Sequence, residues 1–254
     1  MIKKLSYIIF GFLLFASCQD SKQLIFDEEF DGNSLNKSHW NYELGDGCPN
    51  LCGWGNNERQ VYTKDNVSVR DGNLVITATK DSDLYYSGRI TTAKKVEFKY
   101  GTIEVRAKLP LGQGLWPAIW MLGNDIGTVG WPACGEIDMM EYVGKNPHTI
   151  HATLHTPDSH GNSKNTKVTT ISDIENGFHI YKCRWIKDSI SFFIDDNSVY
   201  AFNPEIKNET TWPFDKPFYV ILNLAIGGNF GGPEVDDSIF PQEFLIDYVK
   251  IYKN

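Results

Sequence analysis

The segment GEIDMMEYV, residues 135–143, indicates a β-strand, because its first residues alternate between polar and apolar side chains. Similar segments rich in β-branched and aromatic residues recur along the chain, whereas no long run carries the 3.6-residue apolar period of an amphipathic helix. The sequence therefore predicts an all-β protein. Its other candidate strands are NLVITATK from Asn73, GTIEVRAKL from Gly101, AIWML from Ala118, TIHATLHT from Thr149, FHIYKCRWI from Phe178, SISFFID from Ser189, FYVILNLAI from Phe218 and EFLIDYVKIY from Glu243.

Turn-forming segments separate these strands, such as RDGN at 70–73, GKNPH at 144–148 and GGNFGGP at 227–233. Many short strands joined by glycine and proline turns favour a β-sandwich or jelly roll of two antiparallel sheets. No repeat, low-complexity linker or change of composition follows residue 25 or so. We therefore predict one domain over residues 25–254.

The N-terminus has the pattern of an export signal over residues 1–17. Lys3 and Lys4 precede a short apolar run, which is well below the roughly 20 residues of a membrane-spanning helix. The segment LFASC, ending at Cys18, resembles a bacterial lipoprotein signal, which implies a lipid on Cys18 and a tether over residues 18–24. Gln19 after the cysteine is compatible with attachment of the protein to the outer membrane, on either its periplasmic or its outer face. Ordinary secretion is the alternative.

Composition limits the partners of the protein. The net charge of −8 argues against nucleic acid, whose phosphates require clustered lysine and arginine. A neutral or weakly charged partner fits better. Cys48 and Cys52 are candidates for a disulfide in an exported chain. A zinc site is a weaker interpretation, because one C-x3-C pair supplies only half of a tetrahedral set of ligands.

Three acidic residues lie close together on the strand that contains GEIDMMEYV. Glu136 and Asp138 share one face, but regular alternation places Glu141 on the other face. A β-bulge at Met139 and Met140 would return Glu141 to the face of Glu136. The two glutamates would then be four regular positions apart, with α-carbons separated by roughly 13 Å.

Such a stripe of carboxylates suits glycoside cleavage with retention of configuration. That reaction uses a carboxylate nucleophile and a protonated carboxylic acid about 5–5.5 Å apart. Adjacent carboxylates cannot all ionise without raising at least one pKa, which keeps an acid protonated. Asp138 would then tune the nucleophile. The alternative without a function is an exposed strand whose outer face happens to be acidic. A calcium site on this strand is disfavoured, because cations prefer ligands from folded loops.

The string GWPACGEIDMMEYVG, residues 130–144, resembles the active-site strand of glycoside hydrolase family 16 in its E-x-D-x-x-E form. The remaining similarity covers essentially the whole chain after residue 25, in the order of the laminarinase-type members. It is carried by FDEEFDG from Phe26, GWGNNERQVYT from Gly53, SGRITT from Ser87, GLWPAIWMLG from Gly114, HATLHTP from His151 and NLAIGGNFGG from Asn223. The resemblance implies a β-jelly roll with an open cleft. It also implies that Glu136 is the nucleophile, Asp138 the assisting carboxylate and Glu141 the acid/base.

Three tryptophans are candidate platforms for sugar rings. Trp116 and Trp120 are four residues apart on one predicted strand and so face the same way, and Trp131 lies just before the catalytic strand. Indole rings stack well on the apolar faces of sugars. Burial in the core is the alternative for each of them.

Three polar residues match positions where the family contacts sugars or flanks the acid/base: Asn56, Arg89 and His155. The alternatives are that Asn56 stabilises a turn, that Arg89 forms a surface ion pair and that His155 is a hydrogen-bonded histidine of the core. The resemblance also implies a structural calcium bound by Glu29, the backbone of Gly72 and Asp247, a set of oxygens that suits calcium. The alternative is that Glu29 and Asp247 are simply exposed charges that bind no metal. No cofactor is expected for catalysis.

These observations predict a monomeric retaining endo-β-1,3-glucanase that acts on laminarin-like or mixed-linkage β-glucan and is anchored to the membrane only by lipid. A non-catalytic glucan-binding lectin is the rival from another class, but such proteins typically lack one of the two glutamates. A mixed-linkage β-1,3/1,4-glucanase and an algal galactan hydrolase are the enzymatic alternatives. Sulfated galactans would require more basic residues than Arg89 around the cleft, so a neutral glucan is favoured.

Overall fold

A computed structural model describes residues 23–253 as two packed β-sheets, which confirms the predicted all-β fold. Short helical turns lie at Cys52–Gly55, Ile126–Val129, Gly228–Gly231 and Asp237–Ile239, and none of these described helices is long and apolar enough to cross a membrane. Strands β1 to β18 span Gln23–Glu28, Asn41–Tyr42, Gln60–Tyr62, Val67–Arg70, Asn73–Asp81, Leu84–Ser87, Arg89–Thr91, Glu97–Phe98, Gly101–Lys108, Leu115–Gly123, Glu136–Tyr142, Thr149–His155, Thr166–Thr170, His179–Ile186, Ser189–Ile194, Asn197–Phe202, Phe218–Ile226 and Gln242–Lys253.

The two sheets are assembled from strands that are distant in sequence. The first has the order β16-β15-β14-β9-β18-β5-β6-β3, with β1 paired to β18 and β4 paired to β5. The second has the order β13-β12-β11-β10-β17-β7-β2, with β8 paired to β17. All pairs are antiparallel except β3 with β6. The acidic strand β11 therefore lies inside the second sheet, between β10 and β12.

Apolar side chains fill the space between the sheets. On β11, Ile137, Met139, Met140 and Tyr142 are buried in this core, whereas Glu136 and Glu141 keep partial access to solvent. Every residue of β17 is buried. The outer face of the second sheet thus carries the polar half of β11, and this face contains the candidate site.

All nine strands predicted from sequence are present, with ends that agree to within three residues. The cysteine pair Cys48 and Cys52 forms a disulfide. Strand β1 begins at Gln23, inside the segment predicted as a tether, because Gln23 and Leu24 pair with the end of β18. The predicted signal over residues 1–17 and the predicted lipidation site Cys18 lie outside the described residues.

Candidate active site

The predicted bulge is present in β11. Asp138 lies opposite Thr153 of β12 and Glu141 lies opposite His151, so that Met139 and Met140 together face the single residue Ala152. On the other side, Glu141 lies opposite Ala118 of β10. Two residues against one is the definition of a β-bulge. The extra residue turns Glu141 to the outer face, and both methionine side chains enter the core.

Each glutamate is held by an indole N–H. Trp131 donates a hydrogen bond to Oε2 of Glu136 over 2.8 Å, and Trp116 donates to Oε1 of Glu141 over 3.1 Å. Between the two glutamates, Asp138 is only 4% exposed. The indole bonds fix the orientation of both carboxyl groups while leaving each a second oxygen for chemistry.

His155 extends from the neighbouring strand β12 toward the same carboxyls. Its Nε2 lies 3.2 Å from Oδ2 of Asp138 and 3.7 Å from Oε1 of Glu136. This proximity follows from strand register, because His155 lies directly opposite Glu136. The predicted site residue His155 thus contacts the carboxyls of both Glu136 and Asp138.

All three acidic side chains bind protons more tightly than they would in water. Burial and the nearby charge of Asp138 together raise the pKa of Glu136 to about 8, while His155 and Trp131 partly oppose the shift. Burial also raises the pKa of Asp138 to about 7. The pKa of Glu141 lies well above its usual range for the same reason, reinforced by Asp138. Buried neighbouring carboxyls cannot all be charged near neutral pH, so the site retains a proton that it can donate.

The three predicted tryptophan platforms lie on the same face. Trp116 and Trp120 project from β10 on the side of Glu141 and Asp138, and both are partly exposed. Trp131 is 46% exposed. Its ring lies 5.8 Å from that of His155 and 5.3 Å from that of His160. The three indoles therefore combine exposed apolar surface with N–H groups that are already bonded.

Arg89 is enclosed by other side chains. Its guanidinium lies 4.3 Å from the ring centre of Trp54 and 4.9 Å from that of Trp120, and its Nε donates to Glu43. Stacking and the ion pair leave this side chain only 11% exposed. Arg89 therefore supports the Trp120 platform directly, and any contact with sugar is confined to its small exposed part.

A buried hydrogen-bond chain supports the other side of Trp120. The Trp120 indole donates to Asn223 over 2.7 Å, Asn223 donates to the hydroxyl of Tyr62, and Tyr62 donates to Glu58. The predicted binding residue Asn56 donates to Glu58 over 3.3 Å. Asn56 is thus tied to the same chain that orients the indole.

Comparison with known proteins identifies the family. The sequence model of glycosyl hydrolases family 16 matches residues 55–249, which contain the bulged strand and all three tryptophans. The chain belongs to this family. It is accordingly a glycoside hydrolase, and the superposition with family members confirms the expected jelly roll.

Several of the similar proteins are β-glucanases. The crystal structure of laminarinase from Flavobacterium sp. UMI-01 is 61% identical, with a TM-score of 0.90, and covers 91% of this chain and 100% of that chain. The β-glucanase of Rhodothermus marinus is 37% identical over 91% of this chain and 85% of its own length. Glucan endo-1,3-beta-glucosidase A1 of Niallia circulans is 39% identical over 91% of this chain, which spans only 38% of that relative.

Sequence reasoning did not select several residues of this family 16 site. Phe230 packs edge-on against both Trp116 and His151, with ring centres 5.3 Å and 4.9 Å apart. Trp54 and Asn223 support Trp120. Asn223 and Phe230 lie in a segment already used for the resemblance, but only the sheet order shows that they reach tryptophans more than 100 residues earlier in the chain.

The calcium site implied by the family does not fit the present arrangement. Glu29 forms an ion pair with Lys250 over 2.5 Å, and Asp247 forms one with Arg106 over 2.5 Å. Each carboxylate therefore already has a cationic partner. Gly72 lies in the turn between β4 and β5 with a positive φ of 71°. Calcium remains a prediction that these contacts do not support.

Proposed function

We propose that this family 16 enzyme hydrolyses internal β-1,3-glucosidic bonds of laminarin-like or mixed-linkage glucans with retention of configuration. The bulge of β11 carries this proposal, because it brings Glu141 to the face that holds Glu136 and Asp138. The similar laminarinase and endo-1,3-glucosidase sequences support β-1,3-glucan as the substrate.

In the first step, Glu136 attacks the anomeric carbon and the bond from that carbon to the leaving oxygen breaks. Glu141 gives its proton to the leaving oxygen, so the departing sugar leaves with a hydroxyl group. The raised pKa of Glu141 suits this donation, since burial keeps its proton bound in the resting enzyme. The product is a covalent glycosyl ester on Glu136.

In the second step, water replaces the departed sugar. Glu141, now ionised, takes a proton from the water, and the resulting hydroxide attacks the anomeric carbon. The ester bond breaks and Glu136 regains its electron pair. Asp138 interacts with Glu136 throughout, and the Trp131 N–H stabilises the returning carboxylate. Two inversions at one carbon give net retention.

The test separates catalysis from binding. Glu136→Gln preserves the shape of the side chain but removes the nucleophile, so reducing-sugar release from laminarin should fall by at least about a hundredfold. Binding of laminarihexaose, measured by calorimetry, should remain. Glu205→Gln, at an exposed residue away from the site, is the matched control and should keep full activity. Turnover by Glu136→Gln at the control rate would sink the assignment.

A substrate panel decides between the alternatives. Laminarin, curdlan, lichenan, agarose and carrageenan are compared in parallel, and the anomer of the first product is followed by NMR. We expect cleavage of β-1,3-glucans with a β-anomer formed first. Activity confined to agarose or carrageenan would refute the glucan assignment, and an α-anomer would refute retention. A glucan-binding lectin would release no product from any of the five.

We also propose that the enzyme is exported and anchored through a lipid on Cys18, as the N-terminal sequence suggests. Stable anchoring requires more than one acyl chain, which a lipoprotein cysteine carries. Expression with a fatty-acid label should mark the wild-type protein and not Cys18→Ser. Equal labelling of both proteins would exclude this attachment site. That the protein is a monomer is a separate proposal, which light scattering tests. Protease accessibility determines on which face of the membrane it lies.

A further inference from the structure

The proposed hydrolysis uses the carboxyls of Glu136 and Glu141. The site also brings His155 against Glu136 and Asp138, and the hydrolysis does not require this cluster of three side chains. We propose that Glu136, Asp138 and His155 form a site for a divalent first-row transition metal such as Zn²⁺, which closes the active site reversibly. The inhibitory consequence rests on the proposed function, whereas metal binding itself does not. This ion is an inhibitor and takes no part in the hydrolysis.

The three ligand atoms have a suitable spacing. One atom from each side chain can be chosen so that all lie within 4.8 Å of one another. Nε2 of His155 lies 3.2 Å from the Asp138 carboxylate and 3.7 Å from the Glu136 carboxylate. Zinc bonds of about 2.0–2.2 Å place neighbouring ligands of a tetrahedral site roughly 3.4 Å apart. The observed separations lie on either side of that value, so small side-chain rotations suffice.

Asp138 supplies an independent observation. It is 4% exposed, and its Oδ2 accepts no hydrogen bond even though it is fully buried. A buried carboxylate oxygen without a well-aligned donor is unfavourable, and buried polar atoms are normally bonded. Oδ2 is the atom closest to His155. A cation in this position would satisfy it.

The site remains open to an ion arriving from solvent. The side chains of Glu136 and His155 are 17% and 12% exposed. Trp131 binds Oε2 of Glu136, while Oε1 faces His155. The fourth coordination position would be filled by water, as in zinc sites with three protein ligands.

The chemistry of the ligands selects the class of metal. Imidazole nitrogen suits zinc, copper and nickel, whereas calcium and magnesium prefer sets made of oxygen alone. Two carboxylates with one histidine therefore favour a transition metal. His155 lacks the outer partner that usually strengthens such a ligand, because its buried Nδ1 has no hydrogen bond. The affinity should consequently be weaker than in dedicated zinc enzymes by about 10–100-fold.

Binding is tested directly with zinc chloride, on full-length protein that carries no histidine tag and has been freed of chelator. Calorimetry compares the wild type with Glu136→Gln, Asp138→Asn and His155→Ala. Each should bind Zn²⁺ at least about tenfold more weakly, since even outer partners contribute that much to affinity. Glu141→Gln and His160→Gln change the same residue types beside the site and should bind as the wild type does. Circular dichroism verifies that each variant is folded.

The outcomes separate this inference from the proposed function. Laminarihexaose should raise the apparent Kd for Zn²⁺, and Zn²⁺ should inhibit hydrolysis competitively. The proposed site would be overturned if no zinc bound or if all variants had equal zinc affinity. It would also be overturned if Glu141→Gln and Glu136→Gln lost equal zinc affinity. If zinc binding follows the expected pattern but the protein does not cleave laminarin, the metal site is supported and the proposed glucanase activity is refuted.

Discussion

The Glu136 carboxyl is less stable as an anion in the folded protein than in the unfolded chain. Its ordinary pKa is 4.5, and burial together with Asp138 raises the pKa to about 8. The folded state therefore binds a proton more tightly than the unfolded state over this range, and stability falls as the pH rises from about 4.5 to 8. The proposed nucleophile thus lowers the stability of the folded protein most at alkaline pH.

Replacing this carboxyl should reveal that cost. Glu136→Gln resembles the protonated acid, so we expect it to raise the free energy of unfolding at pH 8 by about 1–3 kcal/mol. The melting temperature should rise by about 2–4 °C per kcal/mol. The gain should vanish at pH 4, where the carboxyl is protonated in both states. Calorimetric melting across this range checks the effect against Glu205→Gln, and a gain independent of pH would contradict it.

Arg89 shows how a single residue can act through its neighbours. Its planar guanidinium fits between Trp54 and Trp120, a geometry that the lysine ammonium group cannot reproduce. Arg89→Lys preserves the charge beside Glu43 but loses the stack, so Trp120 should become less well oriented for a sugar ring.

We expect Arg89→Lys to raise KM for laminarin by about 2- to 30-fold, with a smaller change in kcat, because cation–π stacking contributes about 0.5–2 kcal/mol. Steady-state kinetics on laminarin measure both constants. Arg70→Lys is the matched control, since Arg70 is a surface residue paired with Glu243. An unchanged KM in Arg89→Lys would show that the stack does not position the platform.

At the level of elements, the bulge of β11 reconciles two demands on one strand. Regular alternation would leave one methionine of the pair Met139 and Met140 on the outer face, whereas the bulge buries both and still exposes Glu141. The strand thus fills the core with large apolar side chains and presents three acids outward. The bulge also separates Asp138 from Glu141, which widens the spacing of the two glutamates.

Deletion of Met140 should remove the bulge without turning the acids inward. Glu136, Asp138 and the glutamate that follows would then alternate regularly, opposite their present partners in β10 and β12. We expect a folded enzyme with measurable laminarin hydrolysis, destabilised by about 2–5 kcal/mol through the lost core side chain.

Deletion of Ile137 provides the comparison, because it makes Glu136 and Asp138 adjacent, so that they can no longer share a face. That variant should be inactive. Reducing-sugar assays and thermal melting measure both proteins. If deletion of Met140 leaves a folded enzyme as inactive as deletion of Ile137, the spacing set by the bulge is itself required for catalysis.

At the scale of the whole molecule, ion pairs occupy the carboxylates that the family resemblance assigns to calcium. Lys250 neutralises Glu29, and Arg106 neutralises Asp247. Exchanging millimolar calcium for a chelator should therefore change the melting temperature by less than about 2 °C, the equivalent of under about 1 kcal/mol. Calcium titrations followed by calorimetry test this. A larger rise that disappears in Glu29→Gln would show that calcium displaces the lysine.

Three of the strands that sequence reasoning did not predict share a physical feature: they are too short to give a local signal. Asn41–Tyr42 and Glu97–Phe98 contain two residues each, and Gln60–Tyr62 contains three. Segments of this length have too few residues to establish a period. They become strands because they pair with longer strands, as Asn41 and Tyr42 do with β7. Tertiary contacts therefore decide these elements.

By itself, the sequence determined the all-β class, nine of the longer strands and the three acids of β11, because these depend on local patterns of side chains. It also located the bulge, since only an extra residue places Glu141 on the same face as Glu136 and Asp138. The tertiary structure alone decided that His155 reaches both Glu136 and Asp138, that Arg89 stacks between two indoles and that Lys250 neutralises Glu29. Those contacts depend on which strands are neighbours and in which register they pair, and residues far apart in sequence carry no local signal of either.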